Sequence, residues 1–287
     1  MLIQVRHHSQ YEYSTVVTLG IHKLYLIPQH RPYFRVEHQK FQVLPEPNGH
    51  NFRQDLAGNW YQQCWFVGQT QTLEINCEWI FKLQPFNPFG FILDRSFEEM
   101  GWMHPFFQFS YEEKTAFLIP FLSDRDETFF SDFLLQIKKP ASGLVDFLVS
   151  LTRCIHENWT HEIRHEQNIW DARYTFSQKR GSCRDIALME MEMLRELGLA
   201  ARFVSGYAFN PELETGHELH AWLEVFLPGA GWVGIDPSLG LFTDQRYIPL
   251  ASHPDPSRTL PVQGSFAGGS ESNLATRVEL KLLHQGR

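Results

Sequence analysis

The chain has 287 residues, 43% hydrophobic and 20% charged, with 25 Lys+Arg against 33 Asp+Glu for a formal net charge of −8. That balance excludes intrinsic disorder, and no run approaches the roughly 18–20 apolar residues of a spanning helix. An acidic chain has no electrostatic reason to hold a phosphate backbone, so neither nucleic acid nor membrane is an expected partner.

The four cysteines, Cys64, Cys77, Cys154 and Cys183, show no C-x-x-C spacing, which argues against a disulfide scaffold or a zinc ribbon. The amino terminus, Met1-Leu2-Ile3-Gln4-Val5-Arg6-His7-His8, lacks the basic segment and apolar core of a secretory signal. A cytoplasmic protein with reduced thiols is the expectation.

Residues 1–90 read as strands. Ile3–Arg6, Phe41–Val43 and Thr72–Leu83 carry strand-like patterns, punctuated by turn chemistry at Pro47-Asn48-Gly49 and Ala57-Gly58-Asn59. Short strands at this spacing predict an all-β, sandwich-like domain. Residues 91–140 read as a connecting segment that follows the aromatic, Pro/Gly-punctuated Pro85–Phe91. Phe106, Phe107, Phe109, Phe129 and Phe130 imply that it packs on a domain.

From residue 141 the period changes. Leu144, Phe147, Leu148, Leu151, Cys154, Ile155 and Trp159 recur at three- and four-residue steps and predict an amphipathic helix, with Cys154 as core filling. A second helix is expected from Cys183 to Leu197, stopped by Gly198, with its methionines buried. Strands are expected at Ala201–Tyr207, His220–Leu227 and Trp232–Asp236, the last two joined by a turn at Pro228-Gly229-Ala230-Gly231. A helix followed by an antiparallel sheet is α+β.

Cys183 lies in Arg180-Gly181-Ser182-Cys183-Arg184-Asp185, where an irregular segment becomes a helix. A helix N-terminus carries roughly half a positive charge and unpaired N–H groups, which favour a thiolate and can receive an oxyanion. His220 opens one strand and Asp236 closes the next, so a hairpin can lay them side by side. A carboxylate there would fix an imidazole that takes and returns the thiol proton.

Gly181-Ser182-Cys183-Arg184-Asp185, Leu194–Tyr207 and His220–Ser238 together closely resemble the core of the bacterial transglutaminase-like proteins. The resemblance covers roughly residues 140–250 and extends loosely to the amino-terminal β region and to Leu260–Gly269. It implies a papain-like core at residues 141–287, with a nucleophile helix packed on an antiparallel sheet. It implies Cys183 as nucleophile, His220 as general base and acid, and Asp236 as its orienting carboxylate, with no cofactor. The substrate class implied is a peptide or protein amide. Ser238 stands where the family often has Thr, and Ser252-His253-Pro254-Asp255 departs from its Gly-Arg-Asp-Tyr-like stretch. Trp159, Gln167 and Trp170 are all open as the side-chain oxyanion donor.

The expected activity is acyl transfer through a thioester on Cys183, with hydrolysis favoured over cross-linking. The alternatives are a non-catalytic binding or assembly module and a zinc protease. The last rests on His161-Glu162-Ile163-Arg164-His165, which fits H-E-x-x-H. Arg164 inside that pattern, and the absence of apolar support around it, favour a solvated, charged helix end. His217 reads as a loop residue, Ala267-Gly268-Gly269-Ser270 as a flexible turn, and His7-His8 as incidental.

Overall fold

The 18-residue strand β1 (Leu2–Leu19) alternates buried Ile3, Val5, His7 and Ser9 with less buried neighbours, the period of a sheet with one covered face. The computed structural model describes residues 1–111, 117–123, 128–164, 166, 168–211 and 219–283. Five strands follow: β2 (His22–Leu24), β3 (Phe34–Leu44), β4 (Gly49–Gln54), β5 (Trp60–Trp65) and β6 (Thr70–Leu83). β1, β6 and β3 pair antiparallel in one sheet, and β2, β5 and β4 in a second. Ile3, Val5, Leu73, Ile75 and Phe81 from the first meet Leu24 and Cys64 from the second in one core, so the region is sandwich-like.

Two short helices, α1 (Arg95–Met103) and α2 (Ser131–Lys138), occupy the connecting segment. The Asp94 side chain caps α1 by accepting from the Ser96 N–H at 2.9 Å. Only Phe97 and Gly101 of α1 are buried, so its sequence shows no apolar stripe. Phe97, Phe107, Phe109, Phe130 and Leu134 pack into the core of the second half, and Tyr111 donates to the Phe226 carbonyl at 2.7 Å.

The second half begins with α3 (Leu144–Asn158), β7 (Thr160–His161), α4 (Ala172–Gln178), β8 (Arg180–Gly181) and α5 (Cys183–Glu196). Leu144, Phe147, Leu148, Leu151 and Ile155 bury the α3 stripe, each worth roughly 1.5–3 kcal/mol. Cys154 sits half-buried at its margin. Met189, Met191 and Met193 of α5 are fully buried. Gly198, at φ +77, ends the helix in a conformation that L side chains resist.

Five further strands form the central antiparallel sheet: β9 (Ala201–Ala208), β10 (Leu219–Leu227), β11 (Gly231–Asp236), β12 (Leu241–Phe242) and β13 (Tyr247–His253). Their order is β12-β11-β10-β9-β13. Ala221, Leu223 and Val225 of β10 pack with the helices, while Tyr207, Ile248 and Leu250 join the core of the β sandwich. The sheet is therefore covered on both faces, which explains the nearly continuous apolar runs of β10 and β13. Buried Glu224 on β10 bonds Arg31 at 3.1 Å and Arg202 at 2.5 Å, tying that strand to the amino-terminal sandwich.

The tail returns to the sandwich. β14 (Val262–Gln263) pairs with β2, and β15 (Phe266–Ala267) and β16 (Ser272–Leu283) pair with β1. The β16 register runs from Leu2↔Leu283 to Tyr13↔Ser272. Ala267 thus belongs to a strand, and the turn begins at Gly268, φ +130. His7 is a buried core residue, with Nδ1 3.0 Å from the Tyr207 hydroxyl and Nε2 2.8 Å from Ser9 Oγ. Burial, with His8 nearby, lowers its pKa to about 4. The fold is α+β, a β-rich sandwich followed by a helix-on-antiparallel-sheet core.

Candidate active site

Cys183 is the first residue of α5, and Ser182 before it is extended (φ −77, ψ 170), so the chain turns sharply into the helix at the thiol. Asp185 fixes that turn. Its Oδ2 accepts from the Ser182 N–H at 2.8 Å and the Ser182 hydroxyl at 2.6 Å, and its Oδ1 accepts from the Trp170 N–H at 2.8 Å. Arg164 Nη1 donates to both oxygens, at 2.9 and 2.7 Å. Asp185 has no exposed surface, and burial opposes its ionisation. The Ser182, Trp170 and Arg164 donors overcome that and hold its pKa below the usual value. The Arg164 guanidinium also lies 4.0 Å from the centre of the Trp170 ring, and Trp170 meets Tyr174 edge-on.

His220 and Asp236 come together across the β10–β11 hairpin, His220 Nε2 lying 2.6 Å from Asp236 Oδ2. Asp236 is fully buried and accepts four further donors. The Tyr247 hydroxyl reaches Oδ2 at 2.8 Å; the Ser238 N–H, the Ser238 hydroxyl and the Leu239 N–H reach Oδ1 at 3.0, 2.7 and 3.2 Å. Burial opposes its charge, but His220, Ser238 and Tyr247 keep its pKa below the usual carboxylate value. With Nε2 taken, Nδ1 is the His220 nitrogen left for the thiol of Cys183. Burial alone would lower the His220 pKa; Asp236 and Cys183 raise it well above 6.5.

A second imidazole bears on the same thiol. β7 pairs parallel to β8, setting His161 opposite Gly181, two residues before Cys183. The Glu162 N–H donates to the Gly181 carbonyl at 2.9 Å and closes the bridge. From there the His161 imidazole acts on the Cys183 thiol. Burial would raise the thiol pKa, but His161 and His220 together bring it down to about 6. Cys64 moves the other way, pushed by burial to about 11, and burial raises Cys77 and Cys154 as well.

The structure thus brings Cys183, His220 and Asp236 into one cluster and adds His161, which the sequence offered as a metal ligand or, in preference, as part of a solvated, charged helix end. His161 lies on a strand, so the shared helical face that H-E-x-x-H needs is missing there; His165, Gln167 and His217 lie outside the described residues. Among the described residues no three His, Cys, Asp or Glu side chains gather as a metal site would require. Trp159 is buried and gives its indole N–H to the Thr175 carbonyl at 3.2 Å, so that donor is engaged away from the thiol.

Residues 132–237 match the transglutaminase-like superfamily core, and residues 3–81 match the bacterial transglutaminase-like N-terminal region. The second half of the chain thus carries a transglutaminase-like superfamily core, behind the N-terminal region that goes with it in bacterial proteins. The uncharacterized protein Rv2569c of Mycobacterium tuberculosis is 25% identical over 285 residues, spanning 94% of this chain and 89% of that protein. ML0607 of Mycobacterium leprae, also uncharacterized, is 30% identical over 112 residues, 37% of this chain and 39% of that protein. A crystal structure named "Putative Cysteine Protease" from Cytophaga hutchinsonii superposes with a TM-score of 0.70 at 18% identity, covering 100% of this chain and 93% of that one. That likeness shares the whole fold, sandwich and transglutaminase-like core alike. No helix among the described residues is long and apolar enough to cross a membrane.

Proposed function

We propose that this transglutaminase-like protein is a cysteine-dependent acyl-transfer enzyme that hydrolyses a peptide or glutamine-type amide. The observation that carries the reading is a thiol at a helix start whose pKa is held down by an imidazole that a five-donor carboxylate clamps. His220 holds the thiol proton and the Cys183 thiolate attacks the amide carbonyl, forming the Sγ–C bond and opening the C=O to an oxyanion. The oxyanion collapses, the C–N bond breaks, and His220 passes its proton to the departing nitrogen. Water then attacks the thioester, gives a proton to His220, and expels Cys183 with release of the acid. Asp236 stays ionised throughout and holds the imidazole in register.

Hydrolysis is preferred to transfer onto an amine because Cys183 is only partly buried and His161 beside it is exposed, so water has direct access to the thioester. The test is cleavage of a denatured protein such as casein, with and without a fluorescent primary amine. Peptide release that is indifferent to the amine and absent in Cys183→Ala is the expected result. Amine incorporation outrunning cleavage would overturn the hydrolytic choice. Full activity in Cys183→Ala would overturn the reading entirely.

A further inference from the structure

Resting on that reading, we propose that His161 is a further catalytic residue, the side chain that donates a hydrogen bond to the tetrahedral oxyanion formed on Cys183. Two imidazoles bear on one sulfur, and they are not equivalent. His220 is partly buried and clamped by Asp236, and it carries the proton. His161 is exposed and is held by the backbone bridge to Gly181. The deciding point is where the negative charge travels. In the resting site it sits on Sγ, where both rings favour it. When Sγ bonds to the carbonyl carbon, sulfur becomes neutral and the charge moves to the oxygen one bond further out. An imidazole N–H turned toward the thiolate is therefore already aimed at the oxyanion that replaces it, alongside the backbone N–H groups at the start of α5. His161 loses no proton in this step. It gives a hydrogen bond to the oxygen, keeps it until the C=O re-forms, and then returns to the sulfur.

The assignment fits the other candidates' positions. Trp159 spends its N–H on Thr175, and the Trp170 ring stacks on Arg164. Nothing in the local sequence around Trp159-Thr160-His161 marks the role, because it depends on the parallel pairing of β7 with β8.

The experiment compares two reactions of Cys183 at their pH-independent plateaus in the full chain. Alkylation by iodoacetamide develops no oxyanion; acylation by p-nitrophenyl acetate does, and its phenolate leaves without needing an acid. His161→Ala is expected to slow acylation by about 10²-fold, the usual loss for one oxyanion donor, while changing alkylation by less than about threefold. His161→Gln, which restores an N–H donor, should recover acylation to within about tenfold of the unaltered chain. Equal slowing of both reactions in His161→Ala would show that the ring serves only the thiol and would overturn the proposal. Unchanged acylation in that variant would overturn it too. If the unaltered chain is inert to both reagents, the acyl-transfer reading of Cys183 falls first and takes this inference with it.

Discussion

The Asp236 carboxylate offers no position that an amide could occupy without conflict. Oδ1 accepts the N–H groups of Ser238 and Leu239, which cannot turn away, and Oδ2 accepts His220 Nε2 and the Tyr247 hydroxyl. In Asp236→Asn the NH₂ group faces either two fixed backbone donors or the His220 ring. The second orientation is the less costly, and it drives the ring to the tautomer whose Nδ1–H points at the thiol. A base in that state cannot take the proton of Cys183. The expected loss in kcat/KM for peptide cleavage is on the order of 10³–10⁴-fold. A loss below about tenfold would mean that His220 keeps its orientation by packing alone.

The thiol pKa of about 6 sets the pH behaviour of the site. Below it Cys183 gains a proton and the nucleophile is lost. Above the raised pKa of His220 the imidazolium is lost, and with it the acid for the leaving group. Activity should therefore be bell-shaped, with its acid limb near pH 6, the two limbs belonging to the coupled pair. The same pKa makes Cys183 selective toward iodoacetamide at pH 6. Half of it is thiolate there, against about one part in 10³ for a thiol of pKa 9, and the lower intrinsic nucleophilicity gives back roughly 20–30-fold. The net preference over Cys154 is about 20-fold, read by intact mass and peptide mapping. Scattered labelling, or a midpoint near pH 8.5, would instead describe an ordinary thiol and a binding module.

The line between what was legible and what was not follows sequence distance. The stripe Leu144-Phe147-Leu148-Leu151-Ile155 announces α3, and Gly198 marks the end of α5, because each is written within a few turns of one helix. The hairpin that joins His220 to Asp236 is likewise local, 16 residues from end to end. His161 was not legible as a neighbour of Cys183, since two bridge pairs between β7 and β8 bring it there. Asp185 appeared only as part of a motif. Its partners, Arg164 and Trp170, lie in a polar stretch with no period of its own. The pairing of β1 with β16 joins opposite ends of the chain and leaves no mark in either strand.

Asp185 should be a stability determinant as well as a positioning residue for Cys183. Its side chain is fully buried and that of Arg164 nearly so, at 0% and 7% exposure. Removing the carboxylate strands the guanidinium and releases the Ser182 and Trp170 N–H groups at once. Breaking a buried pair from one side typically costs about 3–5 kcal/mol. Asp185→Ala should therefore lower the urea midpoint clearly, and any folded fraction should show an iodoacetamide pKa shifted up toward 9 as the thiol leaves its imidazoles. Arg164→Met leaves Asp185 its donors from Ser182 and Trp170, so it should cost less than Asp185→Ala. The reverse order would mean that the buried Asp185 carboxylate, left without its cation, is the costlier charge to strand.

Glu190 tests the electrostatics behind the site. It is fully buried on α5, with Oε1 accepting the Thr152 hydroxyl at 2.7 Å and Oε2 without a partner among the described residues. Burial, reinforced by the charge of Asp236, raises its pKa to about 8, only partly countered by Thr152. The folded protein thus holds this proton at neutral pH, whereas the unfolded chain loses it near 4.5. Between those values the folded state binds more protons, so the contribution of Glu190 to stability falls as pH rises from about 4.5 and levels off above about 8. Glu190→Gln carries a neutral isostere and removes that slope. Its Tm relative to the unaltered chain should rise steadily between pH 5 and pH 8, with little difference at the acid end. Its amide can still accept from Thr152, and the charge facing Asp236 at alkaline pH is gone, so the alkaline limb of the activity profile should be the only part that changes. A Tm difference that is flat across this range would mean that Glu190 is ionised in the folded protein, with a donor supplied at Oε2.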